Sequence, residues 1–333
     1  MGPRAAPGFH FRRAQDRPQD ELCEVARCAD VLGYRSIWVS EAWGRDAFVL
    51  LARLATVTSH ARLATGIVNV WGRSPGTLAQ AVATLDEVSG GRALLGIGVS
   101  GPKVVQDWHG VAWGQPLARL REVTDIVRLA LAGERVDYEG RHFRLRGFRL
   151  QFTPVRPDVP IYWGVYGERA AAAAARHADG WLVGERTLGG WHESAPFHKA
   201  AADAGRPGAN VSFMLQVTAC DTDQQRDAAR ELLRRDLAFR VAGLGEFHRK
   251  SLERLGFAET LSRVTAAWQA GDRGAATAAV SDALVGAMGC VGSPAEVAAY
   301  VEGARRADID EPVVTVPRGT PTERILATLE ACA

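Results

Sequence analysis

Two rhythms of apolar residues take turns along the chain. Short apolar runs with little charge sit at Gly8–Arg12, Ser36–Ser40, Leu63–Val68, Leu94–Val99, Pro160–Gly164, Gly180–Gly184, Val211–Ala219 and Pro312–Val316. Runs of this kind predict strands buried on both faces of a parallel sheet. Between them the apolar positions fall three and four residues apart, the spacing of one helix face. Leu22, Val25, Ala26, Ala29 and Leu32 make such a face, which Gly33 ends. Asp46 is placed to cap a helix reaching Leu54–Thr58, and Ser74 with Pro75 to open one reaching Val88. Further helices are predicted over Pro116–Ala132, from Glu168, through much of Gln224–Asp282, from Ser293-Pro294 and at the end of the chain. Val136–Leu145 alternates about Glu139-Gly140 and predicts a β-hairpin.

Strand and helix thus alternate eight times, which predicts an α/β fold: a (β/α)8 TIM barrel made by residues 1–333 as a single domain. The chain exceeds the ~250 residues typical of such barrels. The excess falls in insertions at about 101–114 after the fourth strand, at about 136–150 around the hairpin, and at about 224–282 between the seventh and eighth strands.

Charge narrows the partners. The formal charge is +2, and no apolar run approaches the ~18 residues of a membrane span. Neither nucleic acid nor a membrane is expected as a partner. The first seven residues lack the apolar core of a signal peptide, so a cytoplasmic location is expected. Cys23, Cys28, Cys220, Cys290 and Cys332 match no zinc spacing, and no metal is expected. Gly96-Ile97-Gly98-Val99-Ser100-Gly101 spells the dinucleotide fingerprint, with Glu122 near the place of its ribose-binding acid. That fingerprint needs a long helix opening inside the glycine loop. Pro102 and the short segment to Gly110 do not supply one, so the match is rejected.

In a barrel, chemistry collects at the C-terminal ends of the strands. Those ends carry His10-Phe11-Arg12, Glu41-Ala42-Trp43, Asn69-Val70-Trp71, Val99-Ser100-Gly101, Gly164-Val165-Tyr166-Gly167 and Leu182-Val183-Gly184. They are rich in glycine and aromatics and poor in paired carboxylates, which suits a flat ring cofactor better than hydrolysis. Gly164-Val165-Tyr166-Gly167-Glu168-Arg169 is a glycine-bearing turn opening a helix, suited to a phosphate; a tight turn without a ligand is the alternative. Trp43, Trp71 and Trp108, with His10, predict a wide and mostly apolar substrate pocket, packing of the insertion loop being the alternative for each tryptophan.

Four stretches carry a family resemblance: Trp38-Val39-Ser40-Glu41-Ala42-Trp43-Gly44-Arg45-Asp46-Ala47, Ala64-Thr65-Gly66-Ile67-Val68, Thr84-Leu85-Asp86-Glu87-Val88-Ser89-Gly90-Gly91-Arg92, and Leu95-Gly96-Ile97-Gly98-Val99-Ser100-Gly101-Pro102-Lys103-Val104-Val105. Residues 119–145, 160–182 and 291–297 continue it. With them the chain resembles the luciferase-like flavin and deazaflavin oxidoreductases. It is most similar to the F420-dependent branch that includes methylenetetrahydromethanopterin reductase. The resemblance implies a TIM-type barrel with coenzyme F420 across the strand ends, FMN being the alternative. It implies a non-prolyl cis peptide at Gly66-Ile67 behind the ring. It implies phosphate binding at Gly164, Val165, Tyr166, Gly167, Glu168 and Arg169, and further cofactor contacts from Glu41, Asn69, Gly98, Val99 and Ser100. It also implies a homodimer. Light scattering at micromolar concentration should then give twice the 35.8 kDa chain mass, and the monomer mass would contradict it.

Alcohol and sugar-phosphate dehydrogenases of that family carry an Asp-His pair after the second strand, where this chain has Glu41-Ala42. The sugar-phosphate enzymes also carry a glutamate after the fourth, where this chain has Ser100-Gly101. The first expectation is therefore hydride transfer between F420 and a small molecule with a C=C or C=N bond. FMN-dependent oxygenation fed by a separate reductase is the second, and a non-catalytic cofactor-binding barrel the third. Such a reduction needs one proton. Glu41 is the expected donor, a role that at neutral pH would need a carboxyl pKa raised by burial, and Glu41→Gln is expected to keep cofactor affinity within a few-fold while losing on the order of 10²-fold in turnover. Asn69 and His109 are the other catalytic candidates. His109 also reads as a plain loop contact and Asp46 as a plain cap.

Overall fold

The computed structural model describes residues 6–12, 17–41, 44–184, 187–188, 191–243, 249 and 252–333. Eight parallel strands close on themselves: β1 (Gly8–Phe11), β2 (Ser36–Val39), β3 (Arg62–Thr65), β4 (Ala93–Gly98), β5 (Ile161–Gly164), β6 (Gly180–Val183), β7 (Asn210–Ala219) and β8 (Glu311–Thr315). Each pairs with the next, and β8 pairs back onto β1, Gly8 opposite Val313 and Phe9 opposite Val314. The fold is a (β/α)8 barrel. Its helices start where the sequence places them. Asp46 accepts from the backbone N–H groups of Phe48 and Val49, and Ser74 from that of Thr77. Ser293 and Glu296 close a capping box. No helix of the described residues is long and apolar enough to cross a membrane.

Two elements differ from the sequence expectation. The third strand does not run unbroken to Val68. It stops at Thr65, passes a cis peptide at Gly66-Ile67, and resumes as Val68–Asn69 against Ile97 and Gly98. An additional strand, Gly289–Gly292, pairs with Gln216–Ala219, where β7 outruns the barrel. Its Gly-Cys-Val-Gly sequence gives no strand signal. The approach requires glycine, because a Cβ at Gly289 would lie 2.5 Å from the Gln216 carbonyl oxygen.

Carboxylates stitch the N-terminal end of the barrel. Asp30 accepts from the N–H groups of Ser59, His60 and Ala61 ahead of β3. Asp86 takes Ala93 N–H and Arg156, Asp179 takes Ile161 N–H with Arg128 and Arg206, and Asp310 takes Val211 N–H. Glu122, on the helix Pro116–Leu131, accepts from Arg141, His142 and Phe143 N–H at 2.8, 2.9 and 3.1 Å and ties down the hairpin Val136–Glu139/Arg144–Phe148. Its partner is thus a turn backbone, in keeping with rejection of the dinucleotide fingerprint. Burial alone would push the Glu122 carboxyl up, but these N–H groups win and hold it below the usual value. Glu122→Gln is expected to cost on the order of 2 kcal/mol at neutral pH. A depressed folded pKa gives stability that is fully present above the ~4.3 of an unfolded glutamate and is lost as pH falls through the folded value. Urea midpoints of the two proteins should therefore converge as pH drops below about 4, and a gap that persists in acid would contradict this.

Inside the barrel, side chains alternate in and out with the strand period. At the bottom, the Ser36 and Ser212 hydroxyls donate to the buried Glu311 carboxylate at 2.6 and 2.8 Å. Above them Trp38, Ala64, Leu94, Tyr162, Leu182, Val313 and Met214 fill the bore. The barrel is a packed core, so the site lies above this layer.

Candidate active site

The next inward layer, two residues on, forms the floor of the mouth: His10, Ser40, Gly66, Gly96, Gly164, Gly184, Gln216 and Thr315. Its composition is lopsided. The inward positions on or just past β3 to β6 are all glycine, whereas those on or just past β7, β8, β1 and β2 are polar. On the glycine side the backbone itself closes up. A Cβ at Gly96 would lie 1.9 Å from the Thr65 carbonyl oxygen. A Cβ at Gly164 would lie 2.7 Å from Ile67 Cγ2, and one at Gly98 would lie 3.0 Å from Ile67 Cδ1. The glycines therefore let the Ile67 side chain lie flat against β4 and β5 as a shelf. Ser100, just past β4, holds a φ of 57°. For a residue other than glycine this costs on the order of 1–3 kcal/mol, and such strain clusters at functional sites.

On the polar side, Ser40 Oγ donates to the Gly66 carbonyl at 2.8 Å, and His10 Nε2 lies 2.8 Å from Ser40 Oγ and 3.1 Å from Gly66 O. His10 is 2% exposed. Burial, then the Arg12 guanidinium, pushes its pKa down to about 3, so the ring is neutral.

Asn69 and His109 come together. Asn69 Oδ1 accepts from Trp71 and Gly72 N–H at 2.9 and 2.8 Å, which turns its amide nitrogen toward His109 Nε2, 3.0 Å away. His109 follows a π-helical turn, Val104–Trp108, inside the predicted insertion, and the exposed Trp108 ring lies 4.5 Å from it. The substrate-facing role expected for Trp71 does not fit. Its ring is buried, stacked on Trp113 at 5.3 Å and capped by Arg119 at 4.7 Å, and its N–H bonds Val99 O. It packs the insertion loop. Trp43 lies outside the described residues.

Glu41 is not arranged as a proton donor. Its carboxylate accepts from Arg73 Nη1 at 2.5 Å, Arg73 Nη2 at 2.9 Å and Ala47 N–H at 3.0 Å, and Arg73 also reaches Asp46. The pair instead ties the loop after β2 to the loop ahead of Pro75. Glu41→Gln is expected to lower stability by about 2 kcal/mol in urea titrations, since the amide meets Arg73 with N–H against N–H. Stability within 0.5 kcal/mol of the unsubstituted protein, roughly a surface effect, would contradict it.

The turn after β5 has the backbone form expected for an anion. Gly167, at φ 88°, caps the helix Glu168–His177 with no side-chain acceptor in the cap. Glu168 and Arg169 are exposed at its first turn, and Tyr166 is exposed beside it. Val165 differs: its side chain is buried and its carbonyl accepts from Trp181 Nε1. The Ile67 shelf, the strained Ser100 and this uncapped turn fit a flat ring with a phosphate-bearing tail. Sequence reading missed Gln216 and gave Ser40 and Gly184, which it met at strand ends, no role of their own. Extending the two-residue strand period beyond Trp38, Met214 and Leu182 finds all three.

The sequence model of the luciferase-like monooxygenases matches residues 7–311. A Mycobacterium tuberculosis chain named as a coenzyme F420-dependent oxidoreductase is 33% identical over 81% of this chain and 83% of its own. The 5,10-methylenetetrahydromethanopterin reductase of Archaeoglobus fulgidus is 30% identical over 93% and 94%. Among solved structures, the coenzyme F420-dependent tetrahydromethanopterin reductase of Methanopyrus kandleri superposes with a TM-score of 0.85 at 26% identity, covering 98% of this chain and 97% of its own. With the closed barrel, the split third strand and a match over most of its length, the chain belongs to the luciferase-like monooxygenase family.

Proposed function

We propose that the chain is an F420-dependent reductase that delivers hydride to a C=C or C=N bond of a small molecule. One observation carries the proposal: the inward positions at the mouth are glycine on four successive strands, and Ile67 packs against Gly164 and Gly98 on this side as a shelf for a flat ring. The Mycobacterium tuberculosis relative and the Methanopyrus kandleri structure, both named for coenzyme F420, support the choice of cofactor. Reduced F420 supplies the hydride and no oxygen chemistry. The residues do the rest. The backbone N–H groups at Gly167–Arg169, at the helix N-terminus, would take the phosphate, and Ile67 would support the ring. The Asn69 amide donates to His109 Nε2, so His109 carries its proton on Nδ1. Hydride would add to one atom of the double bond, and the other would take its proton through His109 Nδ1–H, water returning a proton to that nitrogen in the same step so that no imidazolate is left.

The phosphate assignment is tested at Gly167. Gly167→Asp brings a negative charge and a side chain at positive φ to the turn, whereas Gly167→Ala brings only the strain. F420 affinity is expected to fall about tenfold further for the aspartate than for the alanine, on the order of 1.4 kcal/mol. Equal affinities would remove the turn from the site. FMN-dependent oxygenation would use the same shelf and turn, so it is separated by titrating both cofactors.

A further inference from the structure

The contacts of His10 fix its tautomer. Nε2, Ser40 Oγ and the Gly66 carbonyl form a triangle of short contacts. A carbonyl oxygen only accepts, and Ser40 has one hydroxyl proton. Every contact carries a proton only when Ser40 donates to Gly66 O and Nε2 is the protonated ring nitrogen. Nδ1 is then the lone-pair nitrogen. It is buried, and no described residue donates to it. Protonation does not relieve it, because the ring stays neutral down to a pH of about 3.

A second unmet group lies at the same level. Gln216 Oε1 accepts from Arg12 Nη1 at 3.3 Å, which orients the amide and leaves Nε2 buried with no acceptor among the described residues. Gln216 is level with Thr315, and the β8–β1 register continues from Phe9–Val314 to set Thr315 level with His10. One inward row therefore holds an unmet acceptor and an unmet donor. Each such group is destabilising while it lacks a partner.

Around a ring of eight strands, β1 stands opposite β5, and the phosphate turn follows β5. His10, on β1, thus lies across the ring from the turn, and Gln216, on β7, two strands away from β5. We propose that His10 Nδ1 and Gln216 Nε2 bind the polar head of the substrate, a group that sets an N–H or O–H donor beside a carbonyl-type acceptor, as an amide or lactam does. The assignment rests on the F420 reading for which side the cofactor takes. It replaces the mostly apolar pocket expected from three tryptophans, of which Trp71 is buried in packing.

NMR of the 15N-labelled full chain, free and loaded with F420, tests it with two probes: 2-pyrrolidone, which has an N–H beside its carbonyl, and cyclopentanone, which does not. His10 should show an unprotonated Nδ1. Pyrrolidone should shift Nδ1 and the Gln216 amide saturably, while cyclopentanone leaves Nδ1 in place. Gln216→Leu and Gln216→Glu should weaken pyrrolidone about tenfold and leave F420 affinity within a few-fold. A protonated Nδ1, equal shifts from both probes, or undiminished pyrrolidone binding in a folded variant would overturn the proposal. If neither variant folds, the wild-type shifts decide. Absent F420 binding with an intact pyrrolidone response would count against the cofactor alone.

Discussion

Gly96→Ala is expected to destabilise the protein by at least ~3 kcal/mol, a large share of the ~5–15 kcal/mol that holds a domain folded. Inserted volume in a packed core typically costs about 1–3 kcal/mol, because side chains move aside. Here the obstacle cannot turn away. The new Cβ would lie 1.9 Å from the Thr65 carbonyl oxygen, and the Thr65 side chain already bonds both Gly96 N–H and Gly96 O, at 2.8 and 2.7 Å. Either β3 and β4 separate or the strand bends. Gly286→Ala is the control. It lies in the helix Asp282–Met288 with nothing within 4 Å of its Cβ position, and should stabilise by about 0.5–1 kcal/mol. Urea unfolding measures both. A Gly96→Ala protein within about 1 kcal/mol of the original would mean the mouth is not packed as described.

His109→Phe is expected to lose on the order of 10²-fold in turnover and to keep F420 affinity within a few-fold. The phenyl ring preserves the packing against Trp108 and removes only the nitrogens. Asn69 acts by positioning: its amide is oriented by two backbone N–H groups and fixes the histidine's tautomer. The expected contrast is Glu41→Gln, whose carboxylate is already spent on Arg73 and Ala47 N–H. It should lose stability and far less turnover. Consumption of reduced F420 with cyclohexenone as the unsaturated probe reads both variants. A Glu41→Gln protein with 10²-fold lower turnover beside a normal His109→Phe protein would return the proton to Glu41, the sequence-based assignment.

The barrel was legible because its strands are apolar runs and its helix caps are local. Asp46 and Ser74 announce their helices within three residues, and the structure uses them so. The glycines of the stretch 96–98 stand out in the sequence, where they spell part of the rejected dinucleotide fingerprint, but nothing there says what packs against them. Thr65 and Ile67 lie some thirty residues away in sequence and arrive only when β3 pairs with β4. The roles of individual polar residues were least legible. Glu41 and Asn69 look alike as polar residues at strand ends, yet Arg73 ties up the first and His109 meets the second. Trp71 and Trp108 look alike as indoles near one mouth, yet one is buried under Arg119 and the other is 44% exposed. Those differences come from loops whose paths no periodicity records.

Calorimetric titration of the purified chain with F420 and, separately, with FMN tests the central claim most directly. The account predicts that F420 binds saturably at one per chain, that FMN binds far more weakly, and that Gly167→Asp weakens F420 while His109→Phe does not. Saturable binding of FMN with none of F420, or F420 binding indifferent to Gly167→Asp, would contradict it.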